Sequence, residues 1–190
     1  MRTVIARIFD YSIDGVIATE GTPFFDFCRE LPDDTALQER NQALYAEADL
    51  HIMGRAAYLG GAGYFPTATD HPYADQMNAA SKVVFSRTLT SADWANSTIA
   101  SGSLDAELGA LKQGGDGTIV AHGGIGFWKS LIERDLIDEY RISVFPYLAG
   151  AGPRLFGDIT EPPRLELVSA IPFKNGILEV TYRRTRRIGR

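Results

Sequence analysis

Three glycines, Gly123, Gly124 and Gly126, lie within four positions of the stretch from Thr118 to Trp128. The apolar residues before them predict a buried strand, and the apolar spacing after them predicts a helix. The turn at such a junction leaves the first helix N–H groups free, and these groups with the helix dipole favour an anion. Glycine also lets a phosphate or a flat ring approach the backbone. The stretch therefore predicts a docking site for a phosphorylated cofactor.

A purely steric explanation is equally open for these residues alone, because many strand-to-helix turns need glycine without binding a ligand. The spacing Gly123-Gly124-x-Gly126 is not the G-x-G-x-x-G turn of dinucleotide-binding folds. It is also not the G-x-x-x-x-G-K-[ST] phosphate loop. The remaining polar segments of the chain must decide between the two explanations.

Two further polar segments follow predicted strands. Gly54 and Arg55 follow the second strand, and Ser86 and Arg87 follow the third. In an open α/β sheet, ligands bind beyond the carboxyl ends of the strands. Arginine presents a fixed fork of donors to phosphate, so the segments predict an anion cradle with room for an extra phosphate such as the 2′-phosphate of NADP. A surface salt bridge is the alternative for each arginine alone.

Other chemistries have weaker support. His51, His71 and His122 lack the spacing of metal ligands, so no metal site is predicted. No G-x-S-x-G segment indicates a serine hydrolase. The single cysteine, Cys28, excludes an intrachain disulfide. We expect His51 inside the sheet, whereas His122 precedes Gly123 directly and is in a position to contact a ligand.

The composition of the chain argues against two classes of binding partner, nucleic acids and membranes. The net charge of −5 argues against nucleic-acid binding, which usually leaves a basic footprint. The basic run from Arg183 to Arg190 is expected to be a solvated strand end and tail. No run of apolar residues is long enough to span a membrane, and the N-terminus does not resemble a signal peptide. We therefore expect neither a membrane nor a nucleic-acid partner, and a cytoplasmic protein.

Strands and helices alternate along most of the chain, which predicts a mainly parallel sheet covered by helices on both faces. Residues 1–190 are expected to form one domain. The predicted strands are 3–9, 50–53, 82–85, 97–100, 118–121, 137–146, 165–171 and 178–182, and the predicted helices include 35–48, 70–79 and 124–134. Asn175-Gly176 predicts a closing antiparallel hairpin. Residues 19–33 and 59–72 are expected to be loops, and Phe25 in the first either anchors that loop or forms a wall for a flat ligand.

Several segments, taken in order, resemble the dihydrofolate reductase-like superfamily. The branch of closest resemblance contains the reductase domain of bacterial riboflavin biosynthesis. The segments are Ser12-Ile-Asp-Gly-Val-Ile-Ala18, Met53-Gly-Arg55, Val84-Phe-Ser-Arg-Thr88, Trp94-Ala-Asn96, Val120-Ala-His-Gly-Gly124 and residues 131–156. The resemblance covers nearly the whole chain.

The resemblance implies a three-layer α/β/α fold, NADPH as hydride donor and a homodimer. It places Gly54 and Arg55 at the adenosine-side phosphates and Ser86 and Arg87 at the 2′-phosphate. The paired glycines Gly123 and Gly124, with Ile125, Gly126 and Phe127, would line the pyrophosphate. Ile13, Asp14 and Ile17 would border the nicotinamide and the substrate, and Trp128 would lie near the reacting face.

The reaction implied is hydride transfer to a C=N or C=O bond of a small, pterin- or pyrimidine-like heterocycle. Asp14, Glu39 or an ordered water would deliver the proton; Glu39 is the nearest counterpart of the acidic residue that folate enzymes carry early in their first helix. Two alternatives stay open. Ala57, where the family often has threonine, fits a non-catalytic NADPH-binding protein, and a plain dimerisation module is the other.

Overall fold

The computed structural model describes residues 1–157, 159 and 162–185. Its strands are β1 (Thr3–Ser12), β2 (Leu50–Gly54), β3 (Lys82–Phe85), β4 (Ser97–Ile99), β5 (Thr118–Ala121), β6 (Glu139–Phe145), β7 (Leu165–Pro172) and β8 (Leu178–Arg184). They form one sheet in the order β4-β3-β2-β5-β1-β6-β8-β7. Part of the predicted basic tail, residues 186–190, lies outside the described residues.

Strands β1 to β6 pair in parallel. Strand β8 is antiparallel to both β6 and β7. The turn between β7 and β8 contains Asn175-Gly176, and Gly176 has a φ of 87°, in the left-handed region where glycine is favoured. The predicted sheet, mostly parallel and closed by an antiparallel hairpin, is confirmed.

Six helices connect the strands: α1 (Pro23–Glu30), α2 (Thr35–Glu47), α3 (Arg55–Tyr64), α4 (Ala74–Ala79), α5 (Leu104–Gln113) and α6 (Ile125–Glu133). A short 3-10 helix, Phe65–Thr67, follows α3. Asp34 caps the N-terminus of α2, because its carboxylate accepts from the first free amides of the helix. Ser103 caps α5 in the same way with its hydroxyl.

Side chains of the central strands alternate between two apolar layers. On one face, Val4 and Ala6 pack with Leu108 of α5 and Leu131 of α6; we call this the α5–α6 face. On the other, which we call the α2–α4 face, Ile5 packs with residues of helices α2, α3 and α4, namely Tyr45, Tyr58 and Met77. The period of two in a strand produces this division, and the predicted three-layer α/β/α fold is confirmed.

The segment 19–33 was expected to be a loop, but it contains helix α1. The hydroxyl of Thr22 accepts from the amide of Phe25 at 3.3 Å, and Pro23 occupies the first helical position. Phe24 is buried against Phe145. The cap and the proline outweigh the turn-like composition that suggested a loop.

The first half of the segment 59–72, also expected to be a loop, belongs to α3. Its glycines lower helix propensity, which is why its composition suggested a loop. A Cβ on Gly61 would lie 2.7 Å from the ring of Trp94. Glycine at this position therefore lets the helix pack closely on the aromatic ring.

Strands β5 and β1 are neighbours, but the chain leaves them in opposite directions. From β1 it passes to β2 on the far side of β5, and from β5 it passes to β6 on the far side of β1. A crevice forms beyond the carboxyl ends of the strands at such a switch point. The glycine turn after β5 lies at this point.

The sheet ends in an exposed edge at β7. Leu165, Leu167 and Val168 are each more than 40% exposed there. Strand β6 is internal, because it pairs with β1 on one side and β8 on the other, so it has no free edge for a partner. A homodimer stays a prediction. In the part of the chain that the structure describes, no helix is long and apolar enough to cross a membrane.

Candidate active site

Two glycine turns touch at the carboxyl edge of the sheet. The amide of Gly54 donates to the carbonyl of Gly123 at 2.6 Å. A Cβ on Gly54 would lie 2.8 Å from Cβ of Phe127, and a Cβ on Gly123 would lie 2.8 Å from the ring of Trp128. The Gly123–Gly124 peptide bond is cis. The missing side chain at Gly54 lets Phe127 pack against the turn after β2, and the missing side chain at Gly123 lets Trp128 pack against the turn after β5.

A groove of about 610 Å³ lies beside these turns. Eight of the residues predicted to bind cofactor line it: Gly54, Arg55, Ser86, Arg87, Gly124, Ile125, Gly126 and Phe127. Gly123 lies directly behind, in contact with Gly54. Because three arginines line the groove, we call it the arginine groove; the third is Arg134.

Three helices point their N-termini at the arginine groove. The first residues of α3, α5 and α6 all line it, including Arg55, Leu104 and Ile125. Neither α3 nor α6 has a side-chain cap, so their first amides remain available. Free helix amides and the positive ends of three helix dipoles add to the arginine charges, and the groove is built to hold an anion.

Ser86 also has a structural task in the groove. Its Oγ accepts from the amides of Thr88 at 3.2 Å and Leu89 at 3.0 Å, which fixes the turn that carries Arg87. A serine hydroxyl that accepts in this way still has its own hydrogen to donate. The side chain of Arg87 is exposed and can swing onto a bound phosphate.

Sequence reasoning missed Arg134 and Ser103 as groove residues. Arg134 follows α6, far from any strand end, and its Nε lies 3.3 Å from a carboxylate oxygen of Asp105. Only the packing of α6 beside α5 brings it to the groove. Ser103 caps α5, and its place after β4 was the signal that would have added it to the site.

Two predicted site residues are instead part of the core. Trp128 is 6% exposed, and its indole N–H donates to the carbonyl of Ala121 at 3.3 Å. Ile17 is also 6% exposed and packs in the same layer. In α6 the second position points toward solvent, whereas Trp128 packs under the edge of the sheet. Neither Trp128 nor Ile17 lines the arginine groove.

Asp14, a predicted proton donor, holds a loop. Its carboxylate accepts from the hydroxyl of Ser12 at 2.7 Å and from the amides of Ala149 and Gly150 at 2.9 and 2.8 Å. These bonds, that of Ser12 first, lower the pKa of Asp14 to about 2. A carboxylate held in this way is ionised at neutral pH, so Asp14 is a poor proton donor.

Three other predicted residues lie away from the cavities. Glu39 is on the solvent face of α2, one position beyond Gln38, because the helix period turns it outward. Ile13 is 62% exposed in the turn after β1. Phe25 is half-buried on α1, under the guanidinium of Arg29 at 5.8 Å.

Two connected cavities lie on the α2–α4 face. The larger has about 510 Å³ and is lined by Asp33, Asp34 and Asp70 together with aromatic and amide side chains; we call it the aspartate cleft. The smaller has about 230 Å³ and is lined by Met53, Trp94 and His122 among others; we call it the histidine cavity. Phe9 and Tyr73 line both, so the two spaces adjoin.

The wall of the histidine cavity contains a pair of stacked imidazoles. His122 is the residue before Gly123, and its Nε2 lies 2.7 Å from Nδ1 of His51, with the ring planes 8° apart. His51 is fully buried, as predicted. Burial lowers the pKa of His51 to about 4 and, with the charges of neighbouring groups, takes the pKa of His122 well below its usual value. Both rings are neutral at physiological pH.

Asp10, at the irregular end of β1, was not singled out by the sequence. It has a φ of 54°, rare for a residue other than glycine. Burial raises the pKa of its carboxyl to about 6, against the opposing charge of Arg7. Its charge also acts on Cys28 and Tyr73, two walls of the aspartate cleft. Among the described residues, no side chain donates a hydrogen bond to it.

The arginine groove and the two cavities thus meet at one edge of the sheet. Phe85 and Phe127 of the groove pack on the α5–α6 layer, whereas Met53 and Trp94 of the histidine cavity belong to the opposite layer. Each glycine turn contributes to both sides: Gly54 and Gly124 face the groove, and Met53 and His122 face the cavity. A ligand whose anionic part lies in the arginine groove would therefore bring its remaining part close to the histidine cavity.

A scan against protein-family models matches residues 2–178 to the RibD C-terminal domain. The chain belongs to the RibD C-terminal domain family. This family and its structural neighbours are reductases of the riboflavin-pathway and dihydrofolate reductase type. The resemblance to this family is confirmed.

Relatives of this RibD-family chain include the Bacillus subtilis protein YyaP, which is uncharacterized. It is 27% identical over 161 residues, covering 83% of this chain and 82% of that protein. A crystal structure from Shewanella sp. PV-4, provisionally named a riboflavin biosynthesis protein, has a TM-score of 0.78 and 25% identity, covering 97% of this chain and 99% of that one.

Dihydrofolate reductase from Enterococcus faecalis, solved with NADP(H) and a compound named RAB-propyl, shares the fold. Its TM-score is 0.63 at 17% identity, over 97% of both chains. The Thermotoga maritima deaminase and 5-amino-6-(5-phosphoribosylamino)uracil reductase matches with a TM-score of 0.66 at 15% identity, over 97% of this chain and 57% of that longer one. At these identities the likeness concerns the fold.

Proposed function

We propose that this chain is an NADPH-dependent reductase that delivers hydride to a C=N or C=O bond of a small, pterin- or pyrimidine-like heterocycle. The observation that carries the proposal is the arginine groove on one side of the touching glycine turns and the aromatic cavities on the other. Fold neighbours include a reductase solved with NADP(H). Bound NADPH would supply the hydride, and the protein would orient donor and acceptor.

The groove residues fit the phosphates of NADPH. The Gly54–Gly123 hydrogen bond holds the two turns together, and the free amides of Ile125 and Gly126 would donate to the pyrophosphate. Arg87, with the hydroxyl of Ser86, would take the 2′-phosphate, and Arg55 the adenosine-side phosphates. Phe127, stacked on Phe85 at 5.1 Å, gives the groove an apolar wall.

The acceptor would bind in the histidine cavity and the aspartate cleft. Phe9 and Tyr73 provide flat walls to both. Nδ1 of His122 has no hydrogen-bond partner among the described residues and belongs to a ring that lines the cavity. This nitrogen would bond a ring N–H or carbonyl of the acceptor, held in place by His51.

Asp10 takes the place of Asp14 and Glu39 as proton donor in this proposal. Its carboxyl has a pKa of about 6, and its charge acts on Cys28 and Tyr73 of the aspartate cleft. A carboxylic acid whose pKa is near the working pH is suited to general acid catalysis. Water in the cleft would carry the proton from Asp10 to the reduced acceptor.

The non-catalytic NADPH-binding alternative rested on Ala57. The structure places Ala57 in the wall of the histidine cavity and Ala56 in the arginine groove. A hydroxyl at position 57 would therefore face the acceptor side, so its absence does not weaken the phosphate site. No observation specifically favours a plain dimerisation module.

Calorimetric titration with NADPH and, separately, NADH tests the proposal. We expect tight NADPH binding and at least ~10-fold weaker NADH binding, because Arg87 and Ser86 would lose their phosphate partner. Loss of nicotinamide absorbance with a panel of pterins and pyrimidines then tests turnover. Absence of binding for both dinucleotides would reject the reductase, and binding without turnover on the whole panel would favour the non-catalytic alternative.

A further inference from the structure

Positive side chains line the groove on one side of the glycine turns, and negative side chains line the cleft on the other. The arginine groove carries three arginines and, among the described residues, no carboxylate lines it. The aspartate cleft carries Asp33, Asp34 and Asp70 and no described lysine or arginine. The histidine cavity, within the same described ranges, has neither kind. A phosphate therefore finds counter-charge on one side of the turns only.

The histidines do not supply the missing positive charge. Burial lowers the pKa of His71 in the aspartate cleft, although the charge of Asp33 opposes the shift. The pKa of His122 is lowered well below its usual value, first by burial. At neutral pH both rings contribute hydrogen-bonding atoms and no cation.

The carboxylate of Asp34 stays ionised at neutral pH. Its carboxylate accepts from the amides of Ala36 and Leu37 in α2 and from the amide of Lys174. Burial opposes ionisation, but these bonds, that of Lys174 first, outweigh it and lower the pKa of Asp34. The cleft retains this charge through the physiological range.

Two buried cations lie behind the cavity walls, and both are engaged. Lys82 has its Nζ 4.5 Å from the ring of Trp94 and donates to the carbonyls of Met77 and Ala80. Arg7 is neutralised by a carboxylate. It is 2% exposed, its Nη2 lies 3.5 Å from a carboxylate oxygen of Glu179, and it donates to the amide oxygen of Asn41 at 2.8 Å. The second oxygen of Glu179 is held by Arg40. Turning Arg7 toward a ligand would break its bond to Asn41 and leave one buried oxygen of Glu179 without its nearby cation, which is unfavourable.

We propose that the acceptor of this chain carries no phosphate, and that its substituent is neutral or positively charged. The inference rests on the proposed function and names the class of its substrate. Phe9 and Tyr73 fit a flat heterocycle, and the amides of Gln38, Asn41 and Asn175 fit neutral hydrogen-bonding groups. A phosphate would lie among carboxylates without counter-charge, which selects against it. The acceptor thus differs from the phosphoribosylated one in the name of the Thermotoga maritima reductase.

The charge of the cleft can be measured without knowing the substrate. Cys28 is the one cysteine of the chain and lines the aspartate cleft. A cationic and an anionic methanethiosulfonate reagent of similar size would modify it at rates that depend on the local potential. Relative to the same two rates on free cysteine, we expect the cationic reagent to be favoured at least ~10-fold at low salt, and less at high salt. Equal rates, or a preference for the anionic reagent, would overturn the proposal.

The double variant Asp33→Asn with Asp70→Asn is the control for this measurement. Both side chains are exposed at the cleft mouth, so folding should be unaffected. The preference for the cationic reagent should fall several-fold. An unchanged preference would show that Asp33 and Asp70 do not set the potential at Cys28.

A substrate pair gives the second readout. 5-Amino-6-(5-phosphoribosylamino)uracil and its dephosphorylated form would be compared for binding to the NADPH-loaded protein by calorimetry, and for turnover. We expect the dephosphorylated compound to bind at least ~10-fold more tightly. Tighter binding of the phosphorylated compound would overturn the substrate class while leaving the reductase standing, whereas failure of the protein to load NADPH would reject the proposed function first.

Discussion

Nδ1 of His51 lies 2.7 Å from Nε2 of His122 in two nearly parallel rings. The pair joins the second strand to the end of the fifth and brings a neutral imidazole to the wall of the histidine cavity. His51 itself is fully buried, so the stacked pair holds the ring of His122 in one orientation.

Replacing His122 should affect the acceptor more than the cofactor. In His122→Phe, we expect kcat/KM for the acceptor to fall about 10- to 100-fold, because a polar contact of ~1.5–3 kcal/mol is lost. NADPH affinity should change less than ~3-fold. His122→Gln, which can still donate to His51, should recover part of the activity. Met53→Leu, a volume-conserving change in the same cavity, is the control; equal losses in it and in His122→Phe would assign His122 to packing.

Arg87→Ala should reduce the preference for NADPH over NADH. The side chain is exposed and is not held by another described residue in an ion pair, so its removal should not destabilise the fold. Loss of a charged hydrogen bond of ~1.5–3 kcal/mol predicts ~10- to 100-fold weaker NADPH binding and nearly unchanged NADH binding. Calorimetry measures both, with Arg29→Ala on α1 as the matched control. A parallel loss for the two dinucleotides would remove Arg87 from the 2′-phosphate site.

Gly123→Ala should disrupt the packing of the turn after β5 on Trp128. The residue has a φ of 91°, and its added Cβ would lie 2.8 Å from the ring of Trp128. Backbone strain and overpacking together predict a loss of about 2–4 kcal/mol in the free energy of unfolding. Gly126→Ala, three residues along, places a Cβ in open space and should be neutral or slightly stabilising. Urea unfolding of both variants decides, and similar stabilities would contradict the packing argument.

Asp10 should make the protein less stable as pH rises. Because the pKa of its carboxyl is about 6 in the folded protein and 3.8 without burial, the folded state holds the proton more tightly. The contribution to stability is complete below the lower value and is lost as pH rises through the upper one. It amounts to at most about 3 kcal/mol. Asp10→Asn should remove this dependence and should also lower turnover.

Urea unfolding on either side of pH 6 measures the effect of Asp10, with the exposed Asp93→Asn as control. If wild type and Asp10→Asn lose stability equally over this range, burial does not raise the pKa of the Asp10 carboxyl. If turnover of Asp10→Asn equals that of wild type, Asp10 is not the proton donor, whatever its effect on stability.

The sequence by itself determined the layers of this protein. Alternating apolar strands with helices between them fixed the three-layer arrangement, and Asn175-Gly176 fixed the closing hairpin, because these patterns depend on neighbours in the chain. The polar residues after successive strands also predicted most of the arginine groove, since parallel strands bring their carboxyl ends to one edge. Helices α1 and α3 were missed because their prolines and glycines resemble loop composition until capping and packing are known.

The tertiary structure decided which of the predicted side chains face a ligand. Trp128 and Ile17 entered the core, and Asp14 found the amides of Ala149 and Gly150, more than 130 residues away in the chain. No local pattern predicts such a contact. The pairing of His51 with His122, and the burial that raises the pKa of Asp10, likewise depend on strand order. Burial and long-range hydrogen bonds set the protonation state of each group, and these exist only after the chain has folded.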